Sequence, residues 1–267
     1  MDVSLLLPSI RTHKLRDFYF SAAAACKLHE WEIVVVSPFP IPENLEGLKN
    51  LKWLVDYGNP TRCTQLGARL CEGEYIYNCV DDGYFSDGCI DQGLKQIKEL
   101  GPKDIVNMRY RESECGNGPP MPLLYWNAHR AGLGYPGVHP GWKIALHFLM
   151  KTSYYKALGG VDCQFEYMNH ASHDLMFRAQ HDGAGIFNSH CEGLVCTHFP
   201  NTTKDHAPIH HAQLDHDEPL FRKMYFDPGC PANRVNIDFD NWRSSDAVWH
   251  RRFPHGRVDS YKELNHG

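Results

Sequence analysis

The feature that most narrows what this chain can fold into is the alternation, over its first ninety residues, of short continuous apolar runs with amphipathic stretches. Continuous apolar runs mark strands covered on both faces, and amphipathic intervals between them mark helices that lie on the sheet, so the pattern predicts an α/β domain with a mostly parallel sheet. Val3 to Leu7 reads as the first strand, ended by Pro8-Ser9, and residues 14 to 30 read as a helix. Trp31 to Val36 is the second strand and Leu51 to Val55 the third, followed by a helix over Thr61 to Cys71. Tyr75 to Val80 is the fourth strand, and it runs into Asp81-Asp82-Gly83.

Further along, Asp91 to Leu100 reads as a helix stopped by Gly101-Pro102, with Ile105 to Met108 a strand behind it. From 113 to 142 Gly, Pro and aromatic residues dominate, which predicts a long functional or disordered loop. A helix and strand follow over 171 to 188, then a His-rich segment to 216 and a tail without clear periodicity. Lys+Arg is 27 against Asp+Glu 32 in 267 residues, a net charge of -5 with no block of like charge, which disfavours a basic nucleic-acid-binding surface. The longest apolar stretches fall far short of the roughly 20 residues that a bilayer span requires, and the start of the sequence lacks a signal-like pattern, so the expectation is a cytoplasmic protein with no transmembrane segment. The 10 cysteines show no C-x-x-C, and reduced, buried thiols are expected.

In an open parallel sheet, ligands bind outside the carboxyl ends of the strands, so residues just after apolar runs are the candidates for chemistry. Pro8-Ser9-Ile10-Arg11 places a hydroxyl and a guanidinium there, either as a plain turn or as a phosphate contact. Asp81-Asp82 is either a solvated turn or a site for a hard divalent cation completed by phosphate and water. Asp174, at the head of the amphipathic run Leu175-Met176-Ala179, reads equally as an N-cap and as a general base. Nine of the 17 histidines fall between 170 and 216, yet no H-E-x-x-H is present.

Taken in order, these features resemble a family 2-like glycosyltransferase of the GT-A fold. The segment Thr61-Arg62-Cys63-Thr64-Gln65-Leu66-Gly67-Ala68-Arg69-Leu70-Cys71-Glu72-Gly73-Glu74-Tyr75-Ile76, leading into Val80-Asp81-Asp82, is similar to that family's small-residue helix, G-E-Y-I and D-x-D. Leu158-Gly159-Gly160-Val161-Asp162 is similar to its L-G-G-F-D, and His173-Asp174-Leu175-Met176-Phe177-Arg178 to its E-D-x-x-x-R. The resemblance implies a GT-A catalytic domain over 1 to 199, with a nucleotide-sugar half over 1 to 110 and an acceptor half over 111 to 199, and a C-terminal extension over 200 to 267 packed on it.

The roles below are those the resemblance implies. Pro8, Ser9, Arg11, Asp56, Arg62, Gln65 and Asp81 would bind a nucleotide-diphosphate sugar of UDP, GDP or TDP type. Asp82 and His198 would hold Mn²⁺ or Mg²⁺, and Asp174 would deprotonate an acceptor hydroxyl for an inverting transfer. Trp126, Tyr135 and Trp142 would offer apolar faces to a carbohydrate or glycan acceptor. The chain departs from the pattern where Val80 takes the first Asp of D-x-D, where strand two ends in Ser37-Pro38-Phe39-Pro40, and where His173 replaces Glu. A His/Asp metal-dependent hydrolase built from the 170 to 216 cluster, and a catalytically silent sugar-binding domain, are the competing readings.

Overall fold

In the computed structural model of the chain, the residues described are 1–112, 120–121, 124–125, 142–196, 206–227 and 234–256. Among them, β1 (Val3–Pro8), β2 (Trp31–Ser37), β3 (Leu51–Val55) and β4 (Tyr75–Asn78) form the parallel half of a mixed sheet. The other half comprises β5 (Gly83–Phe85), β6 (Ile105–Glu112), β7 (Pro120–Met121), β10 (Phe148–Lys151) and β11 (Ile186–Cys196), in the order β3-β2-β1-β4-β10-β6-β11-β5 with β7 paired to β6. A separate two-stranded ribbon joins β8 (Leu124–Tyr125) to β9 (Lys143–Ile144). β10 runs antiparallel to both β4 and β6. Its first residues therefore lie at the same rim as the carboxyl ends of β1 and β4.

Strand alternation divides the apolar residues between two cores. Val3, Leu5 and Leu7 face one core with Phe18, Ile33 and Leu94, whereas Leu6 faces the other with Val34, Ile76, Phe148 and Tyr155. Helices α1 (Leu15–Ala25) and α3 (Cys89–Lys98) cover the first face; α2 (Pro60–Leu70), α4 (Thr152–Ala157) and α5 (Met168–His181) cover the second. The expected α/β class with a mostly parallel, helix-flanked sheet of GT-A type is the architecture found.

Local chemistry sets the helix limits. The α1 helix stops at Ala25, short of the expected residue 30, because the Asp91 carboxylate takes the Lys27 and Leu28 amides and turns the chain. In α2 the Asn59 side chain caps the Arg62 amide at 2.8 Å and Pro60 occupies the first turn. Gly67 lets α2 press onto the sheet, since a Cβ there would come within 2.4 Å of Leu6.

The described residues beyond 205 include helices that the lack of periodicity did not predict. α6 (Ala207–Ala212), a π-helical stretch over Gln213–Asp217 and α7 (Glu218–Tyr225) follow one another, and Phe221 and Tyr225 sit in the same core as Phe177. The eight described cysteines are all unbridged. No helix among the described residues is long and apolar enough to cross a membrane.

Candidate active site

A cleft of about 320 Å³ opens at the carboxyl ends of β1, β2 and β4. The first loop (Pro8, Ser9, Arg11) and Asp81-Asp82 meet in its middle, and residues of the C-terminal segment, among them His206, Trp249 and Arg252, line it as well. Pro8, Ser9, Arg11, Asp81 and Asp82 are thus brought together in one cleft.

The two adjacent carboxylates differ sharply. Asp81 accepts from Ser9 Oγ at 3.0 Å, from the Ile10 and Arg11 amides at 2.9 Å each, and from the Arg11 guanidinium. Burial alone would push its carboxyl up, but the Arg11 charge and these hydrogen bonds outweigh burial and hold it below the usual carboxylate range. Asp81 therefore shapes the first loop. For Asp82, burial and then the negative charge of Asp81 lift the carboxyl to about 6, against the opposing pull of Arg11 and Lys14. Arg11 Nη1 stands 3.9 Å from its Oδ2. Arg11 also meets His206 Nε2 at 2.6 Å, which ties the first loop to the C-terminal segment.

Five of the predicted site residues among those described lie outside this cleft. Gln65 is fully buried and spends all its hydrogen-bonding capacity inside the protein: its amide donates to the Gly159 and Phe239 carbonyls, and its oxygen accepts from Tyr155 Oη and the Val161 amide. Arg62 is clamped on Asp56 and on the Trp242 and Ser245 carbonyls, so the expected diphosphate pairing is replaced by a structural one. Asp56 closes the same clamp and takes the Gly58 amide. Trp142 packs on Phe177 with ring centres 5.3 Å apart, away from the cleft wall.

Asp174, the expected base, does not line the cleft either. Its carboxylate is fully buried, paired with Arg178 Nε at 2.8 Å and accepting from Tyr225 Oη. Arg178 in turn donates to the Leu158 and Gly160 carbonyls. Gly159 and Gly160 have φ of +85° and +70°, the left-handed region that glycine tolerates. Asp174, Arg178 and Gln65 together form the knot that holds this Gly-Gly turn. A base must reach the proton it removes, and a carboxylate walled in by an ion pair and a tyrosine does not.

Trp126, Tyr135 and His198 lie outside the described residues, as does the part of the His-rich segment over 197–205. His170 and His173 pack in an aromatic cluster around Phe221, and no group of three or more His, Cys, Asp or Glu suited to a metal occurs among the described residues. Sequence reasoning missed several cleft residues. Tyr110, His147 and Arg252 belong to no motif; Asn78 carried a weak signal, as the polar residue that ends the apolar fourth strand.

No protein-family model matches the chain, and no curated protein does. Among solved structures, the chain is similar to S. aureus TarS residues 1-349, with a TM-score of 0.51 and 17% identity, over 74% of this chain and 60% of that one. The same protein in complex with UDP superposes with a TM-score of 0.52 and 18% identity, over 84% of this chain and 69% of that one. The chain thus spans less than two thirds of the first of these, and the likeness is one of fold: its architecture is similar to that of TarS.

Proposed function

We propose that the chain is a glycosyltransferase of the family 2-like kind, which binds a nucleotide-diphosphate sugar in this cleft and transfers the sugar to a carbohydrate hydroxyl. The observation that carries this reading is the meeting of Ser9-Arg11 with Asp81-Asp82 at the strand ends of a fold similar to that of TarS, whose structure in complex with UDP is among the matches. UDP is therefore the first nucleotide to test.

The donor set suits a hard divalent cation bound mainly through substrate phosphate, which takes only one or two protein carboxylates. Asp82, which lines the cleft next to Asp81 and near Arg11, is the group that would hold Mn²⁺ or Mg²⁺, with His198 as a further candidate. Such a cation would neutralise charge on the leaving diphosphate. Asp81 keeps the first loop in place, and Arg11 carries a guanidinium into the cleft for the phosphates. An inverting course needs a proton acceptor on the acceptor side. Asp174 is not among the described residues that line the cleft.

Thermal shift of the purified chain with UDP, GDP, TDP and CMP, with and without Mn²⁺, tests the reading, because a ligand that binds the native state raises Tm. A manganese-dependent rise with one diphosphate nucleotide supports it. No rise with any of them overturns it.

A further inference from the structure

We infer that Asn78 and His147 form the subsite for the transferred sugar, with Asn78 Oδ1 and His147 Nδ1 accepting hydrogen bonds from its hydroxyls. The inference rests on the glycosyltransferase reading and extends it to residues that no motif contained.

Buried polar atoms are nearly always paired, so unpaired ones call for a physical account. Of the buried side-chain nitrogen and oxygen atoms without a partner among the described residues, Asn78 Oδ1 and His147 Nδ1 alone belong to residues that line the cleft. Asn78 is 2% exposed and His147 1% exposed. The Asn78 amide nitrogen is committed to the Leu146 carbonyl at 2.9 Å, which fixes the side chain with its oxygen unmatched. The His147 ring stands edge-on to Tyr110 with centres 4.6 Å apart and is hydrogen-bonded to the Asn78 backbone. Burial pushes the imidazole down to about 4, against that hydrogen bond, so it is neutral and Nδ1 presents a lone pair.

Two buried acceptors select the chemistry of their ligand. Lone pairs repel phosphate oxygens, so the diphosphate does not belong here; a group that brings two donors does. Sheet order places the pair. The cleft runs from Val36 and Pro38 at the end of β2, past Arg11, Asp81 and Asp82, to His147 beside β10 and Tyr110 on β6. With phosphates at the carboxylates and the nucleoside toward β2, the sugar falls toward β10, against the Tyr110 ring and the two acceptors.

The test is calorimetric titration of the full chain, with Mn²⁺, against UDP, UDP-GlcNAc, UDP-glucose and UDP-galactose, repeated with GDP and GDP-mannose. His147→Phe keeps a ring against Tyr110 and removes the acceptor; His147→Asn restores an acceptor near the Nδ1 position and guards against a folding artefact. The expected result is that His147→Phe weakens the preferred sugar nucleotide about tenfold, the loss of about one hydrogen bond, and leaves the bare nucleoside diphosphate unchanged. His147→Asn should recover part of that loss. Equal weakening of nucleotide and sugar nucleotide, or no weakening of either, overturns the sugar subsite while the glycosyltransferase reading stands. Failure of the unaltered chain to bind any nucleotide or sugar nucleotide overturns that reading, and this inference with it.

Discussion

Asp82 and Asp174 look alike in the sequence: each stands beside a second polar residue at the edge of an apolar segment, and each resembles a functional carboxylate of one family. In the fold they are opposites. Asp82 lines the cleft with its carboxyl lifted to about 6, whereas Asp174 is spent inside the protein on Arg178 and Tyr225. The difference teaches that a carboxylate is placed for chemistry when the fold sets it on the cleft wall, and is structural when internal donors already saturate it.

The largest expected effect breaks the buried member of this comparison. Asp174→Asn leaves the Arg178 guanidinium buried without its counter-charge, and removing one partner of a buried ion pair costs about 3–5 kcal/mol. Urea denaturation should show that loss, and the folded fraction should bind nucleotide as the unaltered chain does. Unchanged stability with transfer abolished would restore Asp174 as the base.

A smaller effect belongs to Asp82. Its folded carboxyl titrates near 6 while the unfolded one titrates near 3.8, so between those values the folded state holds the extra proton. Stability contributed by that proton is present at pH 4 and is lost as pH rises through 6, on the order of 2 kcal/mol. Asp82→Asn should flatten this part of the pH profile measured without divalent cation, and should remove any manganese-dependent rise in Tm with nucleotide. A profile that keeps its slope in the variant would place the titration elsewhere.

The smallest effect concerns Arg62, which the resemblance assigned to the diphosphate and the structure assigns to a clamp. Arg62→Lys loses the two-pronged grip on Asp56 and part of the hold on the Trp242 and Ser245 carbonyls, at about 1 kcal/mol. Nucleotide affinity should stay within about twofold of the unaltered chain's, since tight coupling between sites requires contact or a shared network. A tenfold drop in affinity would return Arg62 to the donor site.

The parallel half of the sheet was legible because local sequence controls it. Continuous apolar runs such as Trp31 to Val36 admit few readings, and β2 is buried at every position. The ends of those runs located Ser9, Arg11, Asp81 and Asp82 as well. The short strands Gly83–Phe85 and Phe148–Lys151 and the helices after residue 205 escaped notice, because three or four residues carry no period and the His-rich segment masks the apolar face of Glu218–Tyr225.

What the sequence determined by itself is the ladder of parallel strands and the placing of a loop hydroxyl, a guanidinium and two carboxylates at its carboxyl edge, since strand period and strand ends are short-range properties. What only the tertiary structure decided is which of these groups is spent. Gln65 meets partners 94 and 174 positions away, and Asp174 meets Tyr225 51 positions away. Asn78 and His147, 69 positions apart, come together only because β10 enters between β4 and β6. Hydrogen bonding saturates, so a side chain's availability depends on every donor and acceptor that the closed fold brings to it.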